Sequence, residues 1–196
     1  MKSHAREYRP VIASDWKMLF KPEKVGRYVN DHSIIRAQDG SWHLFGITSP
    51  EDGINPEHER YCVHAWGDSL QEGLTNEGIV IDHGTRAWAP SVIRHGNKYY
   101  MFYGPAPTKL AISGELHHWI NYDGLQLVGS PIEACHRDHM VLKINDYTWV
   151  MYATGVRDGY GCISCYVSND LLQWRFVQYA LTTSGNAPLN PSWGAA

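Results

Sequence analysis

Two aspartates hold the chemical interest of this chain, because they recur at matching places in an internal repeat. Asp31 lies in Asn30-Asp31-His32-Ser33-Ile34-Ile35, and Asp138 in Arg137-Asp138-His139-Met140-Val141-Leu142. Each is followed by histidine and then by an apolar run. Two carboxylates brought together can divide work. One attacks or activates water, and the other binds substrate and shifts its neighbour's pKa by like-charge repulsion. An aspartate at a strand entrance also has a plain structural use, because it can cap a turn by accepting backbone N–H groups. Recurrence of Asp-His at equivalent positions weighs for a site.

The elements that must position them read as hairpins. The Asp31 segment runs into a Gln38-Asp39-Gly40-Ser41 turn and then Trp42-His43-Leu44-Phe45-Gly46. Trp88-Ala89-Pro90-Ser91-Val92-Ile93 runs through His95-Gly96-Asn97 into Lys98–Gly104, rich in tyrosine. The Asp138 segment passes Asn145-Asp146 into Tyr147–Tyr152. Asp31, Ala89 and Asp138 are equivalent, at a period of roughly 50 residues, which is the spacing of propeller blades. A second repeat, S-x-[DE]-L-x-x-W, matches Ser113–Trp119 to Ser168–Trp174. Gly67–Gly73 reads as a degraded copy. Third strands are expected at Glu59–Trp66, Lys109–Ile112 and Gly161–Val167, and no helical period is sustained.

Four-stranded units at this spacing describe a β-propeller. The chain is expected to be one all-β domain over 1–196, with three complete blades at about 25–80, 81–130 and 131–183. The residues 184–196 read as the start of a fourth, with Trp193 in the place of Trp88. The leader Val11–Phe20 could supply a closing strand. An open arc of blades exposes strand edges and apolar faces. A homo-oligomer or a complementing chain that supplies further blades is therefore expected.

Bulk composition narrows the partners. Charged residues are 19% of the 196 and the net charge is −3, which gives no footprint for nucleic acid. There is no apolar run of about 18 residues, so no membrane span is expected. The N-terminus lacks the apolar core of a secretory signal, so a cytoplasmic protein is the default, or a secreted one if a signal has been removed. The four cysteines are irregularly spaced, and Cys162 and Cys165 fall in a strand-like run, which favours buried thiols over a metal or redox site. His32, His136 and His139 flank the aspartates. However, no His-x-x-x-His spacing appears, so no metal or other cofactor is expected.

At Trp88-Ala89-Pro90-Ser91-Val92-Ile93, followed by Gly96-Asn97-Lys98-Tyr99-Tyr100, the chain resembles the five-bladed propeller glycosidases of glycoside hydrolase families 43 and 32. Asn30-Asp31 with Asp39-Gly40 resembles the first-blade motif that carries the catalytic aspartate, and Arg137-Asp138 resembles the Arg-Asp motif of the second. The resemblance implies a five-bladed propeller and an oligosaccharide substrate bearing furanose or xylose. It implies Asp31 as nucleophile or base and Asp138 as stabiliser. Asn30, His32, Trp88, Ser91, Arg137 and His139 are the expected substrate-binding residues, with Trp88 placed to stack on a sugar.

The departures are specific. His32 and His139 stand where proline usually follows the aspartates, and Ser91 stands where aspartate commonly follows Trp-Ala-Pro. The general-acid glutamate of these families falls at a later blade. Glu133 is the nearest substitute, but its place in the repeat precedes the inner strand. Two other readings stay open: a carbohydrate-binding or assembly module without acid catalysis, and a different hydrolase on the same scaffold.

Overall fold

The computed structural model describes residues 9–23, 27–49, 55–82, 84–129 and 134–183. It is built of strands. The first sheet contains β1 (Asn30–Arg36), β2 (Trp42–Thr48), β3 (Tyr61–Gly67) and β4 (Asn76–Asp82), in that spatial order. The second contains β5 (Trp88–His95), β6 (Lys98–Gly104), β7 (Lys109–Ser113) and β8 (Ile120–Asn121). A short β9 (Gln126–Val128) leaves the second unit and runs parallel to β13 (Gln173–Thr182). The third sheet is thus β10 (Ala134–Asn145), β11 (Thr148–Arg157), β12 (Tyr160–Ser168), β13 and then β9. Antiparallel meanders repeated around an axis make this a partial β-propeller.

Local chemistry explains the hairpins. In the β1–β2 turn, Ser41 donates from its N–H and its hydroxyl to Asp39 Oδ1 at 3.0 and 2.6 Å, and Gly40 takes φ of 97°. In the β10–β11 turn, the Tyr147 N–H donates to Asn145 Oδ1 at 2.9 Å. The S-x-[DE]-L-x-x-W element is also a turn. Ser113 Oγ accepts from the N–H groups of Glu115 and Leu116, and Ser168 Oγ from those of Asp170 and Leu171. Trp119 and Trp174 then donate their indole N–H to the carbonyls of Leu116 and Leu171.

The core lies between blades. Along β6 the side chains alternate. Met101 and Tyr103 pack towards the first sheet with Phe45 and Cys62, while Phe102 packs towards the third with Trp149 and Trp174. Burying one such side chain stabilises the fold by about 1.5–3 kcal/mol. The central blade is therefore held from both sides. The expected closing strand in the leader does not form in the described part of it. Leu19 and Phe20 instead pack on Leu44 of the first sheet and on Leu74, which lies just before β4, and the Leu74 N–H donates to the Leu19 carbonyl at 2.8 Å. Residues 184–196, with Trp193, lie outside the described residues, as does Glu133.

The face of the third sheet turned away from the second exposes Met140, Leu142 and Ile144. Ile35 and Ile93, at the place of Leu142 in the other two blades, are partly buried against the following blade. Cys62, Cys162 and Cys165 are buried free thiols. Among the described residues no helix is long and apolar enough to cross a membrane.

Candidate functional site

The three inner strands begin with the same irregularity. Asp31, Ala89 and Asp138 have left-handed backbone, with φ of 23°, 48° and 55°. Each lies where its strand slips register against the next: between Asn30 and His32, between Trp88 and Ser91, and between Arg137 and Met140. An unpaired residue of this kind re-aims a side chain. Left-handed backbone at a non-glycine residue costs about 1–3 kcal/mol and persists only where the surroundings impose it. The repeat thus turns Asp31 and Asp138 out of their ladders.

Both aspartates line one pocket of about 600 Å³. Asn30, His32, Ala89, Pro90 and His139 share its wall. Of the residues singled out in the sequence, Trp88, Ser91 and Arg137 lie outside that lining. Ser91 is partly buried on β5. The Trp88 ring carries two guanidiniums, those of Arg86 and Arg137, at 5.1 and 5.6 Å from its centre. The place expected for a stacked sugar is therefore used, at least in part, to hold Arg137.

The electrostatics tie the aspartates together. Burial pushes the Asp138 carboxyl above its ordinary pKa. The neighbouring Arg137, whose Nε lies 3.5 Å from Oδ2, opposes this, while the charge of Asp31 adds to it, and a hydrogen bond from Thr154 lowers it again. A carboxyl held up by desolvation and by a second carboxylate marks this pocket as a candidate site.

Behind Asp138 stands a histidine pair. Thr108 Oγ1, on the loop before β7, hydrogen-bonds to His139 Nε2 at 3.0 Å and to His136 Nδ1. Both imidazoles are buried, and desolvation lowers their pKa values, that of His136 to about 4. They are neutral at physiological pH. Among the described residues no three of His, Cys, Asp or Glu are placed to hold a metal ion.

Thr108 and Thr154 were not singled out in the sequence. Thr154 had a usable signal, since it faces Arg137 across the β10–β11 ladder, where Ile47 faces Asn30 in the first blade and Gly104 faces Trp88 in the second. Thr108 had none, because its partners belong to the next blade.

No family profile matches the sequence, and no curated protein matches it. Solved structures do match. A GH32 beta-fructofuranosidase from Bombyx mori superposes with a TM-score of 0.62 at 19% identity, over 82% of this chain and 37% of that one. Fructan 1-exohydrolase IIa from Cichorium intybus gives 0.68 at 21% identity, over 83% and 34%. The RS223 beta-xylosidase gives 0.57 at 17% identity, over 76% and 58%. The chain thus has the fold of the propeller glycosidases that its motifs resemble, and it spans about a third of the length of the two fructan- and fructoside-directed proteins.

Proposed function

We propose that this chain carries the funnel of a glycoside hydrolase acting on furanose- or xylose-bearing oligosaccharides. The observation that carries the reading is the convergence of Asp31 and Asp138 on one pocket, with the charge of Asp31 felt by Asp138. Asp31, exposed at the mouth, acts as nucleophile or as the base that activates water. Asp138 accepts hydrogen bonds from sugar hydroxyls, and Arg137 helps to keep it ionised. Among the described residues no glutamate lines the pocket. The acid that protonates the leaving oxygen then comes from a further segment, from a second copy or from a complementing chain. The exposed apolar face of the third sheet supports such an assembly.

The same lack of a described glutamate favours a second reading, a carbohydrate-binding module that retains the pocket without turnover. One experiment separates the two. Hydrolysis of chromogenic fructofuranosides, arabinofuranosides and xylosides is measured over a range of protein concentrations, with wild type and Asp31→Asn. The hydrolase reading expects turnover that falls at least about a thousandfold in the variant, with no loss of melting temperature. Glycan binding without turnover, equal in both proteins, overturns it in favour of the binding module.

A further inference from the structure

A second cavity opens at the same end of the central blade. Trp88 at the start of β5 faces Gly104 at the end of β6, and Tyr103 faces Lys109 at the start of β7. The loop that carries Thr108 therefore lies at the end where Ala89 and Pro90 enter the first pocket. Thr108 lines the second cavity, of about 370 Å³, together with Tyr103, Lys109, Asn121, Tyr122 and Asp123. Its hydroxyl also bonds His139, which lines the first. The wall between the two spaces is thus bridged by one threonine–histidine contact.

We propose that this cavity is a second sugar subsite, which receives further units of a neutral oligosaccharide whose end lies at Asp31 and Asp138. The proposal rests on the glycosidase reading and adds a preference for chain length. A sugar has an apolar C–H face and a ring of hydroxyls that both donate and accept. The cavity supplies each counterpart. Tyr122, 36% exposed, offers the ring. That ring is placed by the chain around it. The Tyr122 N–H donates to the Leu110 carbonyl at 2.9 Å, and a Cβ on Gly124 would lie 2.8 Å from the ring. Lys109 gives one of its three N–H groups to the Arg86 carbonyl at 2.9 Å, and no carboxylate pairs with it among the described residues. The Tyr103 hydroxyl donates to Asn121 Oδ1 at 3.1 Å and so orients that amide. Asp123 adds an acceptor whose charge disfavours an anionic ligand. The volume lies within the roughly 300–1,000 Å³ of small-ligand sites.

Calorimetric titration of the Asp31→Asn protein tests this without turnover. The probes are fructo-, xylo- and arabino-oligosaccharides of two and four units. In the series that binds, four units should bind about tenfold more tightly than two. Tyr122→Ala and Lys109→Met, each checked by its melting curve, should remove that gain and leave the affinity for two units as it was. Gly124→Ala should weaken four units alone, by displacing the ring. Equal affinity for two and four units overturns the subsite and leaves the glycosidase reading standing. Variants that weaken both lengths alike also overturn it. Failure of every series to bind overturns both.

Discussion

Asp31-His32 and Asp138-His139 are the same dipeptide in the same left-handed bend, yet they live in different surroundings. His32 is exposed, whereas His139 is only 5% exposed. The cause is the neighbouring blade. The inner strand β10 packs beside β5 and β6, and the loop after β6 places Thr108 against His139. The first blade has, on the corresponding flank, the leader packed on Leu44 and Leu74, lower in the sheet. A repeat therefore fixes where a side chain leaves the strand, while the adjoining blade fixes what it meets. Asp138 is correspondingly the more structured of the two carboxylates, with Arg137 and Thr154 on it.

The strongest way to break this contrast is to disturb the packing between blades two and three. A Cβ on Gly104 would lie 2.9 Å from Arg137 Cβ and from the His136 carbonyl oxygen. Backbone there cannot step aside without moving the Asp138 bend. Gly104→Ala should cost about 1–3 kcal/mol by overpacking. At Gly46, which faces His32 beside the bend of blade one, the closest atom is a side-chain methyl, Val29 Cγ1 at 2.5 Å, and backbone lies farther away at 3.3 Å. Gly46→Ala should therefore cost less than Gly104→Ala, as read by urea unfolding of both. Equal losses would show that the bend at Asp138 is held no more firmly than the one at Asp31.

The histidines sharpen it. His139→Asn removes the bond to Thr108 and leaves a half-buried hydroxyl with one partner fewer. A loss of about 1–3 kcal/mol is expected. His32→Asn should stay within about 0.5 kcal/mol, as exposed substitutions do. The pH dependence should report on His139 as well. Burial holds the His139 pKa well below its ordinary value. Below about pH 6.5 the unfolded chain takes up a proton that the folded one refuses, so wild type loses stability as pH falls. His139→Asn should flatten that acid limb. Thermal melts from pH 7 to pH 4 provide the test.

How much of this was legible follows from how local each determinant is. The hairpins could be read because Asp39-Gly40 and Asn145-Asp146 close their own turns. The S-x-[DE]-L-x-x-W repeat was legible as a unit, since serine, acid and tryptophan all bond within it. The left-handed backbone at Leu116 and Leu171, with φ of 74° and 68°, was not, because leucine gives no such signal. His43 and His64 read as ordinary strand residues. Only the β2–β3 register brings His43 Nδ1 within 2.8 Å of His64 Nε2. The pairing of the aspartates was legible through the repeat. The diversion of Trp88 to Arg86 and Arg137 was not, because Arg137 comes from another blade.

The smallest effect is the most direct reading of the two carboxylates. The folded pKa of Asp138 is raised, with burial first among its causes and Asp31 contributing. A raised acid carries a stability contribution that is complete below the unfolded pKa, near 3.9, and is lost as pH climbs through the folded value. At neutral pH the ionised Asp138 is therefore a net cost, even with Arg137 beside it. Asp138→Asn keeps the shape and removes the charge. It should melt higher than wild type at pH 7 and together with it at about pH 3. The rise should be modest, on the order of 2 °C, because 38% side-chain exposure lets solvent screen the interaction. Asp31→Asn should give a smaller rise of the same sign, since it removes only the repulsion, and carboxyl NMR should then show Asp138 titrating lower than in wild type. If Asp138→Asn melts lower at pH 7, the ion pair with Arg137 outweighs burial. If Asp31→Asn leaves the Asp138 titration unmoved, the shared pocket does not couple them.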